Sequence, residues 1–513
     1  MNESMKAGSR EWLALLVVVS PVTAVAIGGT SLLLALPQLS VDLGASSTEQ
    51  LWIVDIYAFM VAGFVAMMGA VGDWIGHKRL LLLSATVYAG GSLIAAFSTS
   101  VGMLIASRAL MGIAGAALLS ATLTLVSAIF HDPHQRAVGI TVRASAVLLG
   151  AAAGPVVGGI LLEWFWWGAV LMVGPVMVAF LLIIGPFVLP EPPSPARRAR
   201  IDVVSAGLAL AAVLPTVYGL KQLARDGWSL VVGVAIVGGL VFGLVFCVRQ
   251  LNLRVPLLEL RWFRDRRFGA MSLIVLVGTT LLTGISLFIP IYLQSVADFT
   301  PMAAGLLLVP QSIATVASTL TLPRLAKRLR LLWVSGAGTA VAMVGCLLLA
   351  LGALQAWISV LIVGSMLISM GVVWLTALGT VFIMNAAPQG LAGTASAIVS
   401  TNNTFGGALG LAVLGSIGFG LYRAQLVVPA GIPAGAVTTA RETVSGANAV
   451  AQGLPAGPAA ELLGSAHSAF AQGMAVVSMI SAVLLIACAV LVAVVFAKRR
   501  EPANARVEVV AGD

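Results

Sequence analysis

Long apolar stretches recur along almost the entire chain, separated by short polar or charged joints. Segments such as Leu13–Val19, Leu347–Leu351 and Met474–Val495 run without the strict alternation that marks a strand of a membrane barrel. Each stretch reaches roughly 20 residues, the length that carries a helix across a hydrocarbon layer of about 30 Å. The pattern predicts fourteen membrane-spanning helices, beginning with 12–36 and 50–71 and ending with 392–423 and 470–497. The seventh and eighth, 203–223 and 229–250, are the least distinct, since Lys221, Arg225 and Asp226 lie between two modest hydrophobic runs. The fold class expected is an all-α polytopic membrane protein.

Composition agrees with that picture. Hydrophobic residues make up 60% of the 513 residues and charged ones 9%, against about 25% charged in soluble domains. The mean hydropathy is +1.06. The first stretch follows Lys6 and Arg10, as a signal peptide would, but it is too long for an h-region of about 7–15 residues and reads as a retained helix. Cys247, Cys346 and Cys488 lie in separate apolar stretches, with neither metal-ligand nor disulfide spacing.

A net charge of +9 raises the possibility of a nucleic-acid partner. Its distribution argues against one. With the N-terminus inside, nearly all of the 28 basic residues fall in cytoplasmic joints, while the outer joints hold Lys221, Arg225, Arg423 and Arg441. Arg108 and Arg143 fall within helices. This asymmetry is the positive-inside pattern, and it predicts both termini in the cytoplasm.

The joints suggest a division of the chain. Residues 1–189 form a first bundle of six helices, followed by a Pro- and Arg-rich cytoplasmic linker, 190–202. Residues 203–268 hold two inserted helices and a cytoplasmic loop. Residues 269–497 form a second six-helix bundle, interrupted by an outer loop at 424–469, and 498–513 is a cytoplasmic tail. Two bundles around a central pathway are the common plan of secondary transporters. The outer loop is open to two readings, a helical hairpin over the outer mouth or a flexible connector.

Three short patterns carry the chemistry. Between helices two and three, Gly69, Asp73, Gly76, Lys78 and Arg79 form a glycine-containing charged turn, in which glycine permits a close approach of helix ends. Helix four carries Arg108 followed by Gly112 and Gly115; an arginine inside a membrane helix normally faces a polar cavity or pairs with an acid. In helix five, Gly150, Gly154 and Gly158 are four residues apart and share one face, with Pro155 and Gly159 beside them. Such a stripe lets another backbone pack closely, and the proline removes an internal hydrogen bond.

Together these patterns resemble the major facilitator superfamily, specifically its fourteen-helix drug:proton antiporters of the quaternary-ammonium efflux type. Ala35-Leu36-Pro37 in helix one and the run from Gln50 to Tyr57 in helix two extend the likeness. The resemblance implies multidrug efflux by alternating access in the bacterial inner membrane, with inward proton flow driving export. It assigns the helix-two/three turn to latching the cytoplasmic side and the helix-five glycines to a packed, bending interface between the halves. It links Arg108 to proton coupling and sets Asp55 near the pathway.

The sequence also departs from the family pattern. Gly28 stands where an aspartate is usual in helix one, and helices ten and thirteen carry no acid. They offer Gln311, Ser312, Thr315 and Thr319, and Ser400 to Thr404 with Asn402 and Asn403. Of the 19 acids, Asp55 alone sits well inside an expected helix. Asp55 is therefore the expected titratable coupling site, with Arg108 as its electrostatic partner. Trp52, Tyr57, Arg143, Asn402 and Asn403 are candidate cavity residues, each with a plainer role in packing, snorkelling or interhelical hydrogen bonding. The expected partners are a small-molecule substrate, protons and the lipid bilayer, with no nucleic acid, no cofactor and no metal, and the chain is expected to act as a monomer. His77, His131, His134 and His467 form no catalytic cluster, so an enzyme is not expected. Export of an endogenous lipid or metabolite with weak proton coupling is the alternative to drug efflux.

Overall fold

A computed structural model describes residues 8–130, 132–191, 202–253, 259–328, 331–386, 392–430 and 432–497. Most of the linker and the tail from 498 lie outside the described residues, as does His131. The helices are α1 (Ser9–Asp42), α2 (Ser47–Ile75), α3 (His77–Ala96), α4 (Val101–Ile129), α5 (Pro133–Trp164), α6 (Ala169–Val188), α7 (Val203–Asp226), α8 (Leu230–Asn252) and α9 (Arg266–Ser295). They continue with α10 (Pro301–Leu307), α11 (Val309–Arg328), α12 (Leu331–Leu354), α13 (Ile358–Asn385), α14 (Ala392–Leu409), α15 (Ser416–Gln425), α16 (Ala434–Glu442), α17 (Val444–Gln452) and α18 (Ala456–Ala497). Fourteen spans among the described residues are long and apolar enough to cross a membrane.

Polar joints start the helices with side-chain caps, which occupy backbone N–H groups that hydrocarbon cannot satisfy. Ser46 and Glu49 form a reciprocal capping box at α2. Asp132 caps α5 with Pro133 in the first turn, and Thr300 caps α10 ahead of Pro301. Two spans are interrupted. The tenth breaks at Leu308 into α10 and α11, where Pro310 cannot donate to the preceding turn. The thirteenth passes from α14 to α15 through a π-helical segment, Gly410–Gly415. There a Cβ on Gly284 would meet the Gly410 carbonyl at 2.9 Å, so α9 and this segment touch through glycine backbone.

Helices α1–α6 pack on one another, and α9 with α11–α15 and α18 form a second group. The inserted helices α7 and α8 pack together, and α7 alone of the pair reaches α2, the π-helical segment and α15. Leu230, Val234 and Leu244 of α8 are left exposed on the outer surface. We call the end where α1 passes to α2 the distal end and the opposite one, where α1 begins and α18 finishes, the terminal end.

At the distal end the segment expected to be either a hairpin or a connector is a helical hairpin, α16 and α17. Tyr422 Oη donates to the Ala440 carbonyl at 2.7 Å and Asn448 Nδ2 to the Ser295 carbonyl at 2.7 Å, while Ser295 and Ser445 hydroxyls meet at 2.9 Å. The last helix starts at Ala456 rather than near 470. Its first turns carry Glu461, Ser465 and His467, so apolar periodicity does not mark them.

At the terminal end the α2–α3 turn pivots on Gly76, whose φ of +94° is a region that side chains resist. A Cβ there would also run into the Glu191 carboxylate. Gly76→Val is therefore expected to destabilise the protein by about 1–3 kcal/mol, read as a lower melting temperature in detergent. An unchanged melting temperature would contradict the strained turn.

Candidate transport site

Two stripes of side chains meet between α2 and α7. Trp52, Asp55 and Phe59 are three and four residues apart on α2, and Val213, Val217 and Lys221 are four apart on α7, so each set shares one helix face. Phe59 and Val217 are buried in one apolar cluster with Ala408 and Ala412, packed against by Trp52, Val213 and Leu214. Inside this apolar seam Lys221 Nζ lies 2.7 Å from Asp55 Oδ2, with both side chains essentially inaccessible to solvent. The ammonium also sits 4.2 Å from the centre of the Trp52 ring, a favourable cation–π placement. Neither charge makes a hydrogen bond to any other described residue. Asp55 is the one buried carboxylate among the described residues.

This arrangement corrects the expected partner of Asp55. Arg108 of α4 donates from Nε to the Ile53 carbonyl at 3.1 Å and lies 4.8 Å from the Tyr57 ring centre. Tyr57 is two residues from Asp55, about 200° around the helix, so the arginine and the lysine serve different faces of α2. Gly112 and Gly115 make the seat for this contact: a Cβ on Gly112 would stand 2.6 Å from the Tyr57 carbonyl oxygen. Lys221 was expected in an outer joint. Since α7 continues to Asp226, the lysine is more than a helical turn inside it.

A separate cavity of about 180 Å³ lies between the two groups of helices. Its polar lining is Thr30 from α1, Ser286 from α9, Gln311, Ser312 and Thr315 from α11, and Ser369 from α13, and no charged side chain among the described residues contributes. Ser369 Oγ is buried and has no hydrogen-bond partner among the described residues. Such an orphaned hydroxyl costs free energy until something bonds to it.

None of the five expected cavity residues lines this space. Trp52 covers Lys221 and Tyr57 packs under Arg108. Arg143 donates from Nε to Thr122 Oγ1 at 3.1 Å and from Nη2 to the Leu119 carbonyl at 3.0 Å, which ties α5 to α4. Asn402 Nδ2 donates to Ser272 Oγ at 2.5 Å, joining α14 to α9. Asn403 Oδ1 accepts from Thr279 Oγ1 at 3.1 Å. For Arg143, Asn402 and Asn403 a nearer polar group on a neighbouring helix takes the side chain's hydrogen-bonding capacity, whereas Trp52 and Tyr57 are held by ring contacts with the two cations.

The glycine stripe of α5 faces α1 of its own group rather than the other half. Cβ atoms on Gly150, Gly154 and Gly158 would stand 2.9 Å from the Thr23 carbonyl oxygen, the Ile27 carbonyl oxygen and Ser31 Cβ respectively. The close approach lets Ser31 Oγ donate to the Gly154 carbonyl at 2.7 Å and Thr30 Oγ1 to that of Ala151 at 3.1 Å. Gly159 and Pro155 do meet the other half: a Cβ on Gly159 would lie 2.7 Å from the Pro301 carbonyl oxygen, and Gly305 packs against the Pro155 carbonyl.

Side-chain hydrogen bonds between the halves gather at the distal end. Gln294 Nε2 donates to the Leu34 carbonyl at 2.9 Å, and the Met302 amide to Glu163 Oε2 at 3.4 Å. At the terminal end the charged turn is engaged within its own half. His77 and Asp73 are 3.2 Å apart, Lys78 Nζ donates to the Pro186 carbonyl at 2.8 Å, and Arg79 is exposed. Gly69 sits beside Ser120 of α4.

Comparison with known proteins fits this architecture. The Major Facilitator Superfamily model matches residues 21–411. The chain is 36% identical over 488 residues to the multidrug efflux pump LfrA of Mycolicibacterium smegmatis, covering 95% of this chain and 97% of that one. It is 33% identical over 501 residues to the methyl viologen resistance protein SmvA of Salmonella typhimurium, covering 96% and 100%. In fold it is similar to a bacterial homologue of the human lysosomal transporter Spinster, crystallised inward-facing and unoccupied, with a TM-score of 0.67, 16% identity, and coverage of 97% and 100%.

Proposed function

The chain belongs to the major facilitator superfamily, and we propose that it is a proton-coupled exporter of hydrophobic and amphipathic compounds working by alternating access. Efflux is supported by the two relatives named for drug efflux and resistance, each matched over nearly its full length. We assign the terminal end to the cytoplasm of a bacterial inner membrane, in keeping with the distribution of basic residues. The protein acts as a monomer, its two six-helix halves rocking about the central cavity while the inserted helices travel with α2. With the distal contacts made, the cavity opens toward the cytoplasm. The turn at Gly69 to Arg79 latches that side when the halves swing the other way.

Proton coupling rests on one observation, the buried Asp55–Lys221 pair with no other hydrogen bond among the described residues to hold it. A proton reaching Asp55 turns the carboxylate into a neutral acid and leaves the ammonium as an unpaired buried charge. Removing one partner from a buried pair costs about 3–5 kcal/mol, a magnitude sufficient to shift a two-state equilibrium between facing conformations. Arg108 positions α2 beside this pair through Ile53 and Tyr57.

The uncharged cavity favours a second reading, export of an endogenous lipid or metabolite with weak coupling. Accumulation of a lipophilic fluorescent dye in cells separates the two. Coupled efflux predicts that expression of the protein lowers dye accumulation and that a protonophore abolishes the difference. Efflux that persists with the proton gradient collapsed favours the second reading.

A further inference from the structure

The central cavity is not closed on all sides. A slot of about 460 Å³ lies between α5 and α11 and shares Ala152 and Ser312 with the cavity lining. Its remaining wall is apolar, including Leu149 and Val156 on α5 and Ile313, Val316 and Leu320 on α11. Leu149, Ile313 and Leu320 are exposed on the outer surface, and both helices are membrane spans at these positions. The slot therefore faces lipid. Small side chains, Ala152, Ala153 and Ala317, hold it open.

We propose that the cavity and the slot form one bipartite site for a single-chain amphiphile, with an uncharged hydrogen-bonding head in the cavity and its alkyl chain in the slot. This rests on the export reading above and specifies the substrate class. The head has Ser369 Oγ, which lacks a partner among the described residues, and Gln311 and Ser312 to bond with. The chain has only apolar wall and bilayer. Lipid tails are as apolar as leucine, so an alkyl chain sliding in from the bilayer leaves one hydrocarbon medium for another at little cost. A charged head would instead meet a cavity without a counter-ion, which opposes entry. The slot residues on α11 extend from Val309 to Leu320, about 16 Å of helix at ~1.5 Å per residue. At about 1.2 Å per bond of extended chain, that is room for roughly a dozen carbons.

The experiment uses the full-length protein in proteoliposomes and N-acyl ethanolamines with a diazirine at the chain end, in four-carbon and twelve-carbon versions. After irradiation, the twelve-carbon probe is expected to label peptides containing Ala152–Val156 and Ile313–Leu320. Ala153→Trp and Ala317→Trp fill the slot from its lipid side and are expected to lower the twelve- to four-carbon labelling ratio at least five-fold. Leu244→Trp, on the exposed face of α8, controls for added bulk at the lipid surface and should leave the ratio as in the native protein. Labelling spread evenly over lipid-facing helices, or a ratio that the two slot variants leave unchanged, would overturn the proposal. Protonophore-sensitive efflux of a compact dye, measured on the same native protein, reports separately on the export reading.

Discussion

Asp55→Asn and Lys221→Met are each expected to destabilise the protein by about 3–5 kcal/mol and to abolish proton-driven export, whereas Asp55→Asn/Lys221→Gln regains most of the stability but not the coupling. Each single variant leaves a buried group without its partner, the uncompensated charge that makes broken buried pairs costly. The double variant replaces the two charges, 2.7 Å apart, by two neutral amides, so no uncompensated charge is left buried. Melting temperatures in detergent measure the first effect and dye efflux under an imposed pH gradient the second. The two readouts separate a structural pair from a functional one. If the double variant exports with native dependence on the proton gradient, the pair only holds α7 to α2. If Lys221→Met alone behaves as the native protein, the inserted helix has no part in coupling.

Gly154→Val is expected to prevent correct assembly of the first half, whereas Gly159→Ala leaves the fold intact and slows transport at least ten-fold. Gly154 is packed where even a Cβ would lie 2.9 Å from the Ile27 carbonyl oxygen. Its carbonyl accepts from the buried Ser31 hydroxyl. A valine must push α1 and α5 apart, adding loss of that bond to an overpacking cost of about 1–3 kcal/mol. Gly159 faces Pro301 across the joint between the halves, so an added methyl acts on distal closure rather than on the core of one half. Expression yield and melting temperature should fall for Gly154→Val, while Gly159→Ala keeps both and loses transport rate. Equal behaviour of the two variants would contradict the division of the glycines between an internal and a mobile contact.

What could be read from the sequence follows the range of the interactions involved. The fourteen spans are local facts of apolar length, and even the seventh and eighth, expected to be the least distinct, are helices, the eighth among the most apolar of all. The isolation of Asp55 was also legible, since it needs only a scan for acids within spans. Its partner was not, because Lys221 is 166 positions away and the pairing depends on where α7 lies against α2. A signal existed nonetheless: Val213, Val217 and Lys221 make a single stripe at helical spacing, matching Trp52, Asp55 and Phe59. The α5 glycines announced a close contact but could not say with which helix, as any backbone satisfies a bare glycine face. Of the polar residues of the tenth span, which carries no acid, Gln311, Ser312 and Thr315 line the cavity and Thr319 does not. Asn402 and Asn403 drew attention as more polar groups, yet their greater hydrogen-bonding capacity is used by α9.

Substrate-dependent proton movement across proteoliposomes tests the coupling claim most directly. With a pH-sensitive dye in the lumen, a lipophilic substrate added outside runs down its gradient into the vesicle. Antiport through Asp55 predicts that protons leave as substrate enters, so the lumen turns alkaline in the native protein and shows no substrate-dependent change in Asp55→Asn. Substrate entry through the native protein with an unchanged lumen pH, or with acidification, would contradict it.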